Sequence, residues 1–153
     1  HPVFQRIFHR RRDLPELKSS NFNLRSFGER VALNMPIHES GENYLETILV
    51  LSKKLGNVRS IDVANHLGYS KPSISVAMKR LRENGFVTQD DNGYLVLTGS
   101  GLSIALKINE RHEVLVKFLT SIGVDEETAM HDACRMEHVI SDTTFERIKQ
   151  LPR

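Results

Sequence analysis

From Ser60 to Thr98 the chain runs through two short helical patterns and then two β-rich runs, and that order admits few folds. Ser60 to Leu67 reads as a short helix, with Ser60 as its cap and Asp62 in its first turn. Gly68-Tyr69 makes the turn, Ser70 caps the next helix and Pro72 lies in its first turn, where a missing N–H costs little. That helix runs to Asn84 and stops at Gly85, with Ile74, Met78 and Leu81 as its apolar stripe. Phe86 to Gln89 and Tyr94 to Thr98 then flank Asp90-Asp91-Asn92-Gly93, and Asn-Gly between β-rich runs is a strong hairpin signal. Two helices, a glycine turn and a hairpin make a winged helix-turn-helix.

The flanking segments are helical. Tyr44, Ile48, Leu51 and Leu55 recur at helical spacing over residues 41–55, with Ser40 as the expected N-cap and Gly56-Asn57 as the stop. Asn43, Glu46 and Val50 fall on a different side of that helix. After Thr98 a long helix is predicted to about Ile122, ended by Gly123. Asp125 caps the following helix and Ser141 a last short one bearing Phe145 and Ile148. The fold class is therefore mainly α: a winged helix-turn-helix over residues 36–99, then an all-helical unit over 100–153.

Residues 1–34 differ from the rest, holding Arg10-Arg11-Arg12, scattered Phe and no sustained helical period. They are read as a poorly ordered N-terminal extension without the apolar core of a signal peptide. They carry seven Lys/Arg against three Asp/Glu, and the remainder fourteen against sixteen. A DNA-binding surface on the body must therefore come from local clustering of charge. No apolar run approaches the ~20 residues that span a bilayer, so no membrane partner is expected. The single cysteine cannot close an intramolecular disulfide, and a free thiol suits the reducing cytoplasm.

The helix from Lys71 to Asn84 is the expected recognition helix. Ser70, Pro72, Ser73 and Ser75 at its start are small enough to lie against base edges in the major groove. Lys71, Lys79 and Arg80, with Arg59 before the preceding helix, can reach phosphates.

Further along, Cys134, Glu137 and His138 are spaced i, i+3, i+4, which on one helix sets a thiolate, a carboxylate and an imidazole on one face. Such donors suit a first-row transition metal such as Fe²⁺, Co²⁺, Ni²⁺ or Zn²⁺. His112 offers a second imidazole, and Asn43 and Glu46 two oxygen donors. Ligands drawn from three distant segments exist together only in the folded chain, so metal binding would join the first helix to the segment after 125. A metal site beside a DNA reader implies a metal-sensing transcription factor. The alternative is a winged-helix regulator responsive to thiol redox state or another ligand, with Cys134 as sensor. Cys134 with His138 lacks a third orienting group, and no phosphate loop or dinucleotide fingerprint is present, so the chain is not read as an enzyme.

Several stretches resemble the diphtheria-toxin-repressor family of iron- and manganese-dependent regulators: Glu42 to Ile48, Ser70-Lys71-Pro72-Ser73, Leu97-Thr98 before Gly101, Arg111-His112, and Asp132 to Asp142. The resemblance covers residues 36 to about 150. It implies a homodimer that binds a palindromic operator in double-stranded DNA when loaded with Fe²⁺ or Mn²⁺, repressing metal uptake. It also implies Asn43, Glu46, His112, Cys134, Glu137 and His138 as ligands. Cys134 is the iron-type choice, whereas Glu46 and His112 match the manganese type. Iron-type members usually have Met, and manganese-type members Asp, where Asn43 stands. The architecture resembles the short manganese type without an SH3-like domain. Co²⁺, Ni²⁺ or Zn²⁺ would substitute in vitro, since affinity order alone does not exclude them.

Overall fold

A computed structural model describes residues 38–152. Six helices and one hairpin follow in order: α1 (Glu39–Leu55), α2 (Ser60–Leu67), α3 (Lys71–Glu83), β1 (Val87–Gln89), β2 (Leu95–Leu97), α4 (Gly99–Ser121), α5 (Glu126–Met136) and α6 (Asp142–Lys149). The expectation for residues 1–34 lies outside the described residues.

The winged helix-turn-helix is α2, α3 and the hairpin. Ser70 Oγ accepts from the Ser73 amide, and Pro72 sits in the first turn of α3. β1 and β2 pair antiparallel with Val87 opposite Leu97 and Gln89 opposite Leu95. The loop between them is tied by its own aspartate: Asp90 Oδ1 accepts from the amides of Asn92 and Tyr94. The Gly93 amide donates to the Asp90 carbonyl, closing a turn in which Gly93 alone takes positive φ, at 81°. The Leu95 amide donates to the Val58 carbonyl at 2.7 Å, which ties the wing to the α1–α2 connection.

One apolar core joins Leu45 and Ile48 of α1 with Val63 and Leu67 of α2, Ile74 and Met78 of α3, and Val87 and Leu95 of the wing. A second gathers Leu115, Leu119, Ala129 and Ala133. Helix α4 serves both, since Ala105 belongs to the first core and Leu115 to the second. Its first turn is pressed against the base of the wing. Thr98 Oγ1 donates to the Gly85 carbonyl and accepts from the Gly101 amide. Any Cβ on Gly101 would stand 2.0 Å from the Phe86 carbonyl oxygen.

Three local expectations are corrected. Helix α1 starts at Glu39 with His38 at its N-cap, so Ser40 lies inside it; Glu39 and Glu42 instead complement the first-turn dipole. Ser60 is the first residue of α2 rather than its cap, and the Asp62 carboxylate accepts the Arg59 amide at 2.8 Å. Helix α5 ends at Met136, so Cys134 is helical, Glu137 is the C-cap residue and His138 stands in the turn beyond. There the amides of Val139 and Ile140 both turn back to the Met136 carbonyl, at 3.1 and 2.9 Å, and Ser141 begins a new cap. The apolar residues after 115 are largely spent within the chain, with Leu115, Leu119 and Phe145 buried, although Ile122 remains 62% exposed.

Candidate metal centre

Three segments bring polar side chains into one buried region. Helix α1 packs along α4, and α5 along the other part of α4. From α1 come Asn43 and Glu46, both buried although they lie on a different side from the apolar stripe. Helix α1 therefore buries more than its apolar stripe. From α4 comes His112, and from the end of α5 come Cys134, Glu137 and His138. Glu137 is 0% exposed, as is the His138 side chain. Cys134 is 1% exposed and packs into the first apolar core.

Glu137 is the hub. Its Oε2 accepts from Nδ1 of His112 at 2.8 Å. Because a carboxylate only accepts, the ring nitrogen must donate, which assigns the lone pair of a neutral His112 ring to Nε2. Its Oε1 lies 3.1 Å from Nε2 of His138. On the other side of that ring, Nδ1 lies 3.6 Å from Oε1 of Glu42. Burial would raise the Glu137 pKa, but hydrogen bonds and charge from His112 and His138 outweigh it and hold the carboxyl below its ordinary range. Burial would lower both imidazoles, yet the Glu137 hydrogen bond and charge hold each above the usual histidine value. For Glu46 the balance is reversed: burial, then repulsion from the Glu137 carboxylate, outweigh the charge of His112 and His138 and push it up to about 8. Burial also raises Glu42.

The buried donor set is not satisfied by the protein alone. Oδ1 of Asn43, Oε1 of Glu137 and both ring nitrogens of His138 are buried without an aligned hydrogen-bond partner. Buried polar atoms are rarely left so, and each such group costs about 1–3 kcal/mol. Carboxylate, amide oxygen and imidazole are the donor types that a divalent cation takes. The residues therefore fit a metal ion. Among the described residues, though, no three His, Cys, Asp or Glu side chains stand as placed in an arrangement that could hold one. They are paired with one another instead, His112 with Glu137 foremost, so forming a coordination shell requires side chains to turn.

Sequence reasoning did not pick out Glu42 and Arg111 as site residues. Glu42 had a signal, since it precedes Asn43 and lies four residues before Glu46 on α1. Arg111 had none in its spacing.

On the opposite unit, Lys71, Pro72, Ser73, Ser75, Lys79 and Arg80 all stand exposed on α3 while Ile74, Met78 and Leu81 point inward. Val76, 53% exposed, shares the stripe of Pro72, Ser73, Lys79 and Arg80 at three- and four-residue spacing. Ser70 Oγ donates to Ser73 Oγ at 2.8 Å, and Lys79 pairs loosely with Glu83 at 3.8 Å. Arg59 stacks its guanidinium 4.7 Å from the centre of the Tyr94 ring at the tip of the wing.

Comparison with known proteins agrees across both units. Residues 37–95 match the iron-dependent repressor N-terminal DNA-binding domain, and residues 98–152 match the iron-dependent repressor metal-binding and dimerisation domain. The transcriptional regulator MntR of Escherichia coli O6:H1 is 33% identical over 108 residues, covering 71% of this chain and 70% of that protein. The HTH-type transcriptional regulator MntR of Bacillus subtilis (strain 168) is 34% identical over 112 residues, covering 73% and 79%. The solved structure of the manganese regulator SloR superposes with a TM-score of 0.65 at 25% identity, covering 76% of this chain and 54% of that one. The chain thus spans about half the length of that solved neighbour.

Proposed function

The chain belongs to the iron-dependent repressor family of metal-responsive DNA-binding regulators, and on that premise we propose a repressor controlled by a divalent cation at the junction of α1, α4 and the end of α5. Asn43 and Glu46 from α1, His112 from α4, and Cys134, Glu137 and His138 would hold the cation. The observation that carries this reading is the set of buried donor atoms on Asn43, Glu137 and His138 that lack an aligned hydrogen bond. When bound, the cation supplies positive charge in place of protons on buried carboxylates and imidazoles.

The residues of α1 then do the regulatory work. Leu45 and Ile48 sit in the same core as α2 and α3, whereas Glu46 of the same helix lies within the field of Glu137, His112 and His138, and Asn43 is buried one turn before it. Fixing α1 against α4 and α5 biases where the reading head stands. Residues 36–99 form the DNA-binding unit and residues 100–153 the metal-binding and dimerising unit in this scheme. On DNA, α3 enters the major groove. Pro72, Ser73 and Ser75 lie against base edges, with Ser70 holding the start of the helix. Lys71, Lys79, Arg80 and Arg59 lie along phosphates. A homodimer on a palindromic operator doubles these contacts.

The physiological cation is Mn²⁺ or Fe²⁺. Sulfur at Cys134 leans toward the softer of the two, and the oxygen donors toward the harder. The similar solved protein SloR is a manganese regulator, in line with the second. Co²⁺, Ni²⁺ and Zn²⁺ bind by general affinity order. Burial of Cys134 disfavours the thiol-sensing alternative, since a redox-sensing thiol needs access to oxidant. The test is DNA binding under anaerobic, reducing conditions across Mn²⁺, Fe²⁺, Co²⁺ and Zn²⁺, with chelator as control. The metal reading requires DNA affinity to collapse on chelation with the thiol kept reduced. Unchanged affinity would reject it. Sedimentation with and without Mn²⁺ tests the dimer, and a monomer in both rejects it.

A further inference from the structure

Among the described residues Arg111 is one of the few buried charges, 5% exposed, and it immediately precedes His112 on α4. Its guanidinium reaches away from its own helix. Nη1 donates to the carbonyls of Glu137 and Ile140, at 3.0 and 2.8 Å. Nη2 pairs with Asp142 Oδ1 at 2.5 Å. The group also lies 5.4 Å from the centre of the Phe145 ring.

These contacts span the turn between α5 and α6. Glu137 is the C-cap of α5, where a helix end leaves carbonyls without internal partners, and Ile140 directly precedes the Ser141 cap of α6. Val139, between them, is 75% exposed and adds little packing to the turn. One planar fork therefore ties Glu137, Ile140 and Asp142 to the helix that bears His112. Lys107, one turn earlier on α4, steadies the same carboxylate with Nζ 3.0 Å from Asp142 Oδ1.

We infer that Arg111 is a positioning residue of the metal centre, fastening the α5–α6 turn to α4 so that Glu137 and His138 stand at fixed places relative to His112. The inference rests on the metal-centre reading above. Metal ligation demands ligand placement within a few tenths of an ångström, which a free turn does not give. Lysine keeps the charge but has no planar fork, so it cannot serve two carbonyls and a carboxylate in the same geometry.

The test compares parent, Arg111→Lys, Asp142→Asn, the double variant and His112→Ala. Mn²⁺ affinity is measured by calorimetry and the Co²⁺ visible absorption band by titration, both well below the melting temperature of each metal-free variant. Arg111→Lys is expected to weaken Mn²⁺ binding about 10–100-fold, as loss of a group orienting a ligand does, and to change the Co²⁺ band. Asp142→Asn, an exposed change, should weaken it by less, and its effect should vanish in the Arg111→Lys background. Parental affinity and an unchanged Co²⁺ band in both single variants, with binding lost in His112→Ala, overturn the inference and leave the metal centre standing. Parental Mn²⁺ binding in His112→Ala overturns the metal centre and this inference with it. Should Arg111→Lys fail to fold, Asp142→Asn decides alone: weakened binding supports the role of Arg111, parental binding overturns it.

Discussion

Nδ1 of His112 stands 2.8 Å from Oε2 of Glu137, joining the middle of α4 to the end of α5 across 25 residues of sequence. Glu137 is fully buried and His112 mostly so, and the pair is the closest link within the donor cluster that has good hydrogen-bond geometry. Glu137→Gln should abolish metal-dependent DNA binding, because the neutral amide brings no negative charge to the cation and no longer balances two imidazoles. The metal-free variant should also melt earlier, since leaving a buried partner unsatisfied costs about 1–3 kcal/mol. DNA-binding titration with Mn²⁺ and a thermal melt in chelator read the two effects. A variant that still responds to metal like the parent removes Glu137 from the site.

Cys134→Glu should move metal preference toward Mn²⁺. The substitution exchanges soft sulfur for hard oxygen at a position that is 1% exposed, and a buried carboxylate is tolerated there only when neutralised by an ion. The ratio of Mn²⁺ to Co²⁺ concentrations giving half-maximal DNA binding is the measurement. An unchanged ratio means that Cys134 is a core residue and not a ligand.

The buried cluster gives stability a definite pH dependence. Glu46 titrates near 8 in the fold against an ordinary 4.5, so the folded state holds a proton that the unfolded chain releases. Its contribution is full below the ordinary value and is lost as pH rises through about 8. His112 and His138, both raised above 6.5, lose theirs in the same direction. Glu137 is lowered and loses its contribution only in acid. The metal-free protein should therefore melt lower at about pH 8.5 than at about pH 6.5. Mn²⁺ displaces those protons, so its stabilising effect should grow over the same interval. Equal melting shifts by Mn²⁺ at both pH values would contradict this.

Lys79→Ala and Ser73→Ala should separate charge from readout on α3. Removing Lys79 should weaken binding to any duplex and lower the salt slope by about one. Its pairing with Glu83 at 3.8 Å is exposed and weak enough to yield to a phosphate. Ser73→Ala should change preference among sequences more than overall affinity. Uniform loss over a panel of duplexes for Ser73→Ala would place the reading edge elsewhere.

Gly101→Ala should destabilise the fold by about 3 kcal/mol or more, because its Cβ would meet the Phe86 carbonyl oxygen at 2.0 Å and backbone must shift. Urea unfolding gives the magnitude. The same shift loosens α4 from the wing, so metal-dependent DNA binding should weaken in parallel. A variant as stable as the parent would show that the junction is soft.

Local chemistry made much of the molecule readable from its residues. Ser70, Asp125 and Ser141 cap their helices because a short oxygen-bearing side chain followed by helix-forming residues satisfies orphan amides within one turn. The wing followed from β-rich runs around Asp90 to Gly93, where the loop makes its own hydrogen bonds. Ser40 and Ser60 misled because an extended residue just before each helix already supplied its start. What only the tertiary structure decided was the end of α5 and the gathering of the donors. Periodicity carried the helix through His138, yet the chain turns at Met136 where Arg111, from 26 residues earlier, takes up the Glu137 carbonyl. Whether Glu46 is a solvated carboxylate or a buried one pushed up to about 8 likewise depends on Glu137 being packed beside it. Spacing along a chain encodes local hydrogen bonds; burial and the charge of a neighbour remote in sequence exist only once α1, α4 and α5 have met.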